Sequence, residues 1–151
     1  MSPKAWSVPL RAIGWLEQSH AYYQGKLTDV VRAKLRHSME MAWASNCQCG
    51  FMGHHVCTLC GRAQPISAIN IFLPGRECVF VFPACIHHYI EQHSYCPPPV
   101  FWDAVFATQM VVPAEYRAAL IRVNGGTIPL PTEEQDPPPS FPLFGSGGGN
   151  A

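Results

Sequence analysis

Residues 53–61 read Gly53-His54-His55-Val56-Cys57-Thr58-Leu59-Cys60-Gly61, and the Cys-x-x-Cys pair in this stretch decides the fold that we predict. Two cysteines separated by two residues bind one zinc ion without strain, and the glycine after them lets the chain turn beneath the sulfur atoms. Residues 87–93 carry three histidines that can complete such a site, and they read His87-His88-Tyr89-Ile90-Glu91-Gln92-His93. The sequence therefore predicts a small domain that is stabilised by a bound zinc ion.

The predicted metal ligands are Cys57, Cys60, His88 and His93, in the pattern Cys-x2-Cys-x27-His-x4-His. The separation of the two histidines lies within the range of roughly three to five residues that is usual for paired histidine ligands. The central gap of 27 residues is longer than the ~12–15 residues of a finger that reads DNA. In an ideal helix, side chains five positions apart point about 140° away from each other. We therefore expect the helix to end or tighten just before His93.

Other residues compete for the same role. His55 could replace one of the histidines, and Cys47 with Cys49 could complete an all-sulfur site that holds zinc or an iron–sulfur centre. We favour metal binding over a pair of buried thiols, and we disfavour redox catalysis because strand signals, not a helix, follow the Cys-x-x-Cys pair. His87 is predicted to be an exposed helix residue. The remaining cysteines are predicted to be core thiols: Cys78, Cys85 and Cys96.

The periodicity of the first half of the chain predicts an α+β fold. Apolar residues at helical spacing indicate a helix over 29–43, with Thr28 or Asp29 as its cap. Residues 44–53 contain two glycines and are predicted to be irregular. The period of residues 8–16 does not distinguish a strand from a helix.

The second half of the chain is predicted to contain a hairpin followed by helices. β-branched and aromatic residues indicate strands over 66–73 and 78–82, around the turn Pro74-Gly75. Three prolines are each predicted to open a helix, and they are Pro83, Pro99 and Pro113. The expected fold is thus a small single domain with a short β-hairpin or sheet and three to four helices.

Composition excludes several classes of protein. The chain has 151 residues, which suits one domain; 48% of them are apolar and only 13% are charged. A net charge of zero disfavours general nucleic-acid binding, which needs a concentrated excess of Lys and Arg. We see neither a secretory start nor a run of about 18 apolar residues, so we expect a cytoplasmic protein without a membrane span. In that compartment a Cys-x-x-Cys pair more often binds metal or does redox work than forms a structural disulfide.

Residues 124–151 are predicted to form an extended tail, because 12 of these 28 residues are Pro or Gly. The zinc-stabilised domain is accordingly assigned to residues 1–123. The tail and the low charge of the chain together suggest a protein partner or a homo-oligomer. Within the tail, Phe141 and Phe144 are the candidate anchors for that partner.

The ordered motifs of the chain resemble those of a group of small uncharacterised bacterial proteins. Their pattern is roughly G-x-H-x-C-x-x-C, then P-x-x-I-x-H-Y, then H-x-Y-x-P-P-x-x-F-x-x-A-V. These elements match residues 53–60, 83–89 and 93–105, and residues 11–16 resemble an N-terminal signature of some members. The likeness covers about residues 9–110. It implies no activity, but it favours the histidines and cysteines inside the pattern, namely His55, Cys57, Cys60, His88 and His93.

The sequence is compatible with three functions. The first is a non-catalytic, zinc-stabilised interaction module or accessory subunit that docks on a larger assembly. The second is a zinc-dependent hydrolase, for which Glu91 is the only acidic residue close in sequence to the ligands. The third is a regulatory nucleic-acid-binding module, supported only by the basic residues Arg32, Lys34 and Arg36. We predict the first.

Overall fold

A computed structural model of the chain describes residues 5–60 and 65–130, with only the backbone described at 51–55 and 65–67. The described elements, in chain order, are β1 (Leu10–Ala12), α1 (Asp29–Ala44), β2 (Gln48–Val56), a 3-10 helix (Thr58–Cys60), β3 (Pro65–Pro74), β4 (Val79–Pro83), α2 (Ile86–His93), α3 (Pro99–Ala107) and α4 (Pro113–Val123). The predicted α+β class is confirmed.

The four described strands form one sheet in the order β1-β4-β3-β2. The β3–β4 pair is the predicted hairpin, with Phe72 opposite Val81 and Leu73 opposite Phe80. β2 runs antiparallel to β3, and the short β1 adds to β4 in parallel. Residues 8–16, whose period did not distinguish a strand from a helix, therefore contain the edge strand β1.

The core lies where α1, α3 and α4 pack against this sheet. Leu35, Met39 and Ala42 of α1 are buried, as their helical spacing predicts. From the sheet, Phe80 and Phe82 meet the Phe101 ring of α3 edge-on, at centroid distances of 5.6 and 5.4 Å. Edge-on contacts of this kind add to the stabilisation from apolar burial.

Helix α1 begins and ends close to the predicted bounds. The Thr28 hydroxyl accepts a hydrogen bond from the backbone N–H of Val31, which confirms Thr28 as the cap. α3 and α4 begin at Pro99 and Pro113, also as predicted. A proline fits the first turn of a helix because its missing N–H would have no partner there.

Two predictions of secondary structure are wrong. Residues 48–53 belong to β2 and are not irregular, because β3 supplies backbone partners that outweigh the poor strand propensity of Gly50 and Gly53. The register shifts between Gly50 and His55, so the glycines mark a bulge. Pro83 does not open a helix but ends β4 opposite Asn70, and α2 begins at Ile86.

The segment after α4 packs onto the folded domain. Asn124 is buried, and its Oδ1 accepts a hydrogen bond of 2.6 Å from the backbone N–H of Ser7. Its Nδ2 donates to the carbonyl of Thr127 at 2.7 Å, and Ile128 is buried beside the core. Residues 124–128 thus contribute to the packed structure although their composition resembles that of a tail.

None of the helices in residues 5–60 and 65–130 is long and apolar enough to cross a membrane.

Candidate metal centre

The Cys-x-x-Cys pair lies at the end of β2. Cys57 follows the last strand residue, Val56, and the 3-10 helix Thr58–Cys60 then turns the chain within three residues. This tight turn brings the two sulfur atoms toward the same point, as a Cys-x-x-Cys metal ligand pair requires. Cys57 is buried, with 1% of its surface exposed, whereas Cys60 is exposed.

The two histidines come from α2. His88 lies in the first turn and His93 is the last helical residue, directly before Ser94, which adopts a left-handed conformation at φ 53°. The helix therefore ends at His93 itself and not before it. The His88 and His93 rings are 5.1 Å apart and inclined at 69°, so their side chains converge despite their five-residue separation.

The four side chains meet at one point. Cys57 Sγ lies 3.3 Å from His93 Nε2, and Cys60 Sγ lies 3.2 Å from the Nε2 atoms of both His88 and His93. All four ligand atoms lie within 4.8 Å of one another. Tetrahedral zinc with ordinary bond lengths separates its sulfur and nitrogen ligands by roughly 3.5 Å. The cluster can therefore hold a metal ion of zinc size with little adjustment.

Residues around the cluster fix the position of the two histidine rings. Tyr89 is fully buried, and its ring contacts those of His88 and His93 at centroid distances of 5.7 and 6.3 Å. The Tyr22 hydroxyl donates a hydrogen bond of 3.1 Å to the carbonyl of His93. Neither tyrosine was predicted from the sequence to belong to the site. The i, i+4 spacing of Tyr89 and His93 could have indicated the first contact, whereas no local signal indicates the second.

Burial tunes the acid–base behaviour of the site. It lowers the pKa of His93, which favours the neutral imidazole that binds metals. Burial also raises the pKa of Tyr89, and the nearby Cys85, Cys57 and Cys60 raise it further. The Tyr89 phenol therefore stays neutral beside the sulfur atoms.

The alternative ligands do not join this group among the side chains that the structure describes. Cys47 is buried elsewhere, with its sulfur 3.3 Å from the hydroxyl of Ser45. Cys49 is half-buried, and burial raises the pKa of its thiol. The side chain of His55 lies outside the described residues. Of the predicted core thiols, Cys85 is buried whereas Cys78 and Cys96 are only half-buried.

The prediction that His87 is exposed is wrong. Only 2% of its surface is accessible, and both ring nitrogens are buried without a hydrogen-bond partner in the described part of the chain. Burial, together with the positive charges of Arg36 and Arg32, lowers the pKa of His87 to about 4. The ring points into the protein because most of α2 is covered by neighbouring elements, including its residues Ile86 and Ile90.

Glu91 and the basic residues of α1 are engaged with one another. Glu91 Oε1 lies 3.6 Å from Arg32 Nη1, and Arg32 also pairs with Asp29. The Lys34 ammonium lies over the Phe106 ring, 5.9 Å from its centroid. Through these contacts Glu91, Arg32 and Lys34 connect elements of the folded domain to one another. The proposed partner anchors, Phe141 and Phe144, lie outside the described residues.

The chain is an α+β domain whose Cys57, Cys60, His88 and His93 form a cluster able to hold a metal ion. The family model described as a domain of unknown function, DUF7919, matches residues 2–106, and the chain belongs to this family. No curated protein and no solved structure matches the chain significantly. The expected membership of an uncharacterised family is confirmed, while the detailed motif pattern and the bacterial origin stay predictions.

Proposed function

We propose that this protein is a non-catalytic accessory or interaction subunit whose domain is stabilised by a structural zinc ion. The observation that carries the proposal is the convergence of Cys57, Cys60, His88 and His93, whose four ligand atoms lie within 4.8 Å of one another. Two sulfur and two nitrogen donors are a set that zinc prefers in structural sites. Four protein ligands fill a tetrahedral ion, so no position remains for substrate or water.

The position of the cluster explains why the metal would stabilise the fold. It ties the turn after β2 to α2, which lie 28 residues apart between Cys60 and His88. In the unfolded chain these groups are separated by a flexible loop, so metal binding in the folded state adds directly to folding free energy. Small domains often need such a cross-link by a metal ion, because their cores bury limited apolar surface.

Two alternative functions receive less support from the geometry. A zinc hydrolase needs a general base near the metal, and Glu91, the only acidic candidate close in sequence, is paired with Arg32. A nucleic-acid-binding module needs basic groups that are available to phosphates. Arg32 pairs with two carboxylates and Lys34 lies over an aromatic ring, which leaves Arg36 as the one basic residue of this set without an ion pair or ring contact among the described residues.

The partner is proposed to be a protein or another copy of the chain, bound in part through the anchors Phe141 and Phe144. Support comes from α3 and the segment after it, which leave large apolar side chains in solvent. Phe106 is 46% exposed and Met110 is 93% exposed. Exposed apolar groups that lie close together are common at interaction surfaces.

Metal removal tests the structural role. We expect a strong chelator to unfold the purified full chain, with loss of circular dichroism, and zinc to restore the fold. Replacing both Cys57 and Cys60 by Ser should have the same effect as the chelator. A double variant with unchanged melting behaviour would show that the cluster is not a structural site.

A further inference from the structure

The seven cysteines of this chain differ in their access to solvent. All of them lie among the described residues, and Cys60 is the one that is exposed. Three others are buried and three are half-buried; these are Cys47, Cys57 and Cys85, and Cys49, Cys78 and Cys96, respectively. Oxidation of a cysteine depends on its exposure, so a dissolved oxidant reaches the sulfur of Cys60 before that of any other cysteine.

Cys60 is exposed and yet belongs to the four-residue cluster. Its Sγ lies 3.2 Å from the Nε2 atoms of both His88 and His93. The thiolate is the form of cysteine that binds zinc, and it is also the form that attacks oxidants. The arrangement that makes Cys60 a candidate metal ligand therefore leaves a reactive sulfur at the surface of the protein.

The other sulfur of the cluster is shielded from solvent but close to the first. Cys57 is 1% exposed, and the four ligand atoms of the cluster lie within 4.8 Å of one another. The sulfur atoms of a disulfide are about 2.05 Å apart, so the sulfurs of Cys57 and Cys60 need to approach each other by less than about 3 Å. Both cysteines flank one short turn, the 3-10 helix Thr58–Cys60, and side-chain rotation there supplies a movement of this size.

We propose that Cys60 is the site at which hydroperoxides, such as hydrogen peroxide, oxidise this protein, and that Cys57 then forms a disulfide with it and the metal ion is released. The release of zinc rests on the function proposed above, in which the cluster holds that ion. The oxidation itself rests on the exposure of Cys60 and on the position of Cys57 beside it.

Two steps account for the atoms and the electrons. The Cys60 thiolate attacks one oxygen of hydrogen peroxide, so that an S–O bond forms, the O–O bond breaks and the departing hydroxide takes a proton from solvent to become water. The Cys57 thiolate then attacks the oxidised sulfur of Cys60, an S–S bond forms, the S–O bond breaks and a second hydroxide leaves as water. The two sulfur atoms lose two electrons in total, and the peroxide gains them.

Disulfide formation removes half of the metal ligands. His88 and His93 then offer two nitrogen donors, whereas zinc in a structural site takes four ligands. Loss of the ion separates the turn after β2 from α2, and the domain loses the folding free energy that metal binding supplies. Peroxide thereby controls the stability of the whole domain through one exposed sulfur.

Peroxide treatment of the purified, zinc-loaded full chain tests the proposal. A chromogenic chelator follows the released zinc, dimedone traps the sulfenic acid in a parallel sample, and mass spectrometry locates the modified cysteines. We expect dimedone on Cys60, one zinc ion released for each disulfide between Cys57 and Cys60, and recovery of the metal site after dithiothreitol and zinc are added. Dimedone on a half-buried cysteine in place of Cys60, a disulfide that excludes Cys57, or zinc that stays bound while thiols are oxidised would each overturn the proposal.

Two variants provide the comparison. Cys60→His replaces the exposed sulfur by a nitrogen that can still bind zinc, and it should slow the release of zinc by peroxide roughly tenfold or more. Cys96→Ser removes a half-buried thiol outside the cluster and should leave the rate within about twofold of that of the wild type. A Cys60→His chain that binds zinc and releases it at the wild-type rate would contradict the proposal. If Cys60→His does not fold, the position of dimedone on the wild-type chain decides the question.

The zinc content before treatment separates this proposal from that of a structural zinc ion. A chain that carries zinc and keeps it in peroxide would end only the oxidation proposal. A chain purified without zinc would end the structural-zinc proposal and the release step. The dimedone and disulfide measurements would then still decide whether Cys60 is oxidised first and is joined to Cys57.

Discussion

Cys60 Sγ lies 3.2 Å from His88 Nε2, although 27 residues separate the two in the chain. This contact joins the turn after β2 to the first turn of α2. Cys57 and His93 form a parallel contact of 3.3 Å on the buried side of the cluster. Two pairs of side chains thus connect the sheet to one short helix, and a zinc ion bound between them would stabilise the domain.

Replacing Cys60 by Ser should remove the metal and destabilise the domain by more than about 4 kcal/mol, because a structural ion contributes its binding energy to folding. Cys96→Ser is the matched control. Cys96 is half-buried, its sulfur lies 3.8 Å from the carbonyl oxygen of Pro97, and it is not one of the four clustered residues. We expect Cys96→Ser to keep one metal ion per chain and to melt within a few degrees of the wild type. Equal metal content in both variants would contradict the site.

The neighbouring histidines His87 and His88 should respond in opposite ways to the same substitution. His88→Leu removes a ligand and should release the metal. His87→Leu replaces a buried ring whose nitrogens have no partner in the described residues, so stability should change by less than about 1.5 kcal/mol or rise. Metal analysis and thermal melting of the two variants check this. Loss of metal in His87→Leu alone would mean that the wrong histidine has been assigned.

Acidification should weaken the domain. Burial lowers the pKa of both His87 and His93, so each is protonated more readily in the unfolded chain than in the folded one. Stability is then complete above the ordinary histidine pKa and falls as the pH drops below it. Protons also compete with the metal for the histidine and cysteine ligands, which acts in the same direction. Melting temperature and bound metal, followed from neutral to acid pH, should decrease together, and a melting temperature that rises on acidification would contradict this.

Gly75→Ala should destabilise the turn between β3 and β4 by about 1–3 kcal/mol. A Cβ atom at Gly75 would lie 2.9 Å from the carbonyl oxygen and the sulfur of Cys78, closer than real contacts allow. Gly25→Ala is the control, because a Cβ atom there meets only Cys96, at 3.7 Å or more. Chemical denaturation should separate the two variants. Equal free energies of unfolding would show that the turn accommodates the added methyl group at little cost.

Asn124→Ala should cost about 1–3 kcal/mol, because it removes the hydrogen bonds that the buried Asn124 side chain makes with the N–H of Ser7 and the carbonyl of Thr127, each of which contributes about 0.5–1.5 kcal/mol. Asn124→Asp keeps the acceptor for Ser7 but loses the donor to Thr127, so its loss of stability should be smaller. An Asn124→Ala variant as stable as the wild type would show that residues 124–128 contribute nothing to folding.

The sequence could predict which four side chains cluster because metal chemistry restricts both residue type and spacing. Two residues separate Cys57 from Cys60, a spacing that lets both sulfur atoms reach one ion, and this pattern is visible without a structure. The convergence of His88 and His93 was harder to predict, since it depends on where α2 ends. The left-handed conformation of Ser94, which ends the helix, has no strong local signal.

The errors arose where tertiary contacts decide the outcome. Gly50 has poor strand propensity, yet it pairs with Ile69 because β3 offers its free edge. His87 is polar and was expected in solvent, but α2 is a short helix that is covered over most of its surface. Neither outcome can be deduced from the residues within a few positions of Gly50 or His87.

The most direct test of the central claim is the metal content of the purified full chain, combined with X-ray absorption at the zinc edge to count the ligands. The account predicts one zinc ion per chain, bound by two sulfur and two nitrogen atoms, which are those of Cys57, Cys60, His88 and His93. Four sulfur ligands would move the site to Cys47 and Cys49. A chain that folds with no metal bound would contradict the account.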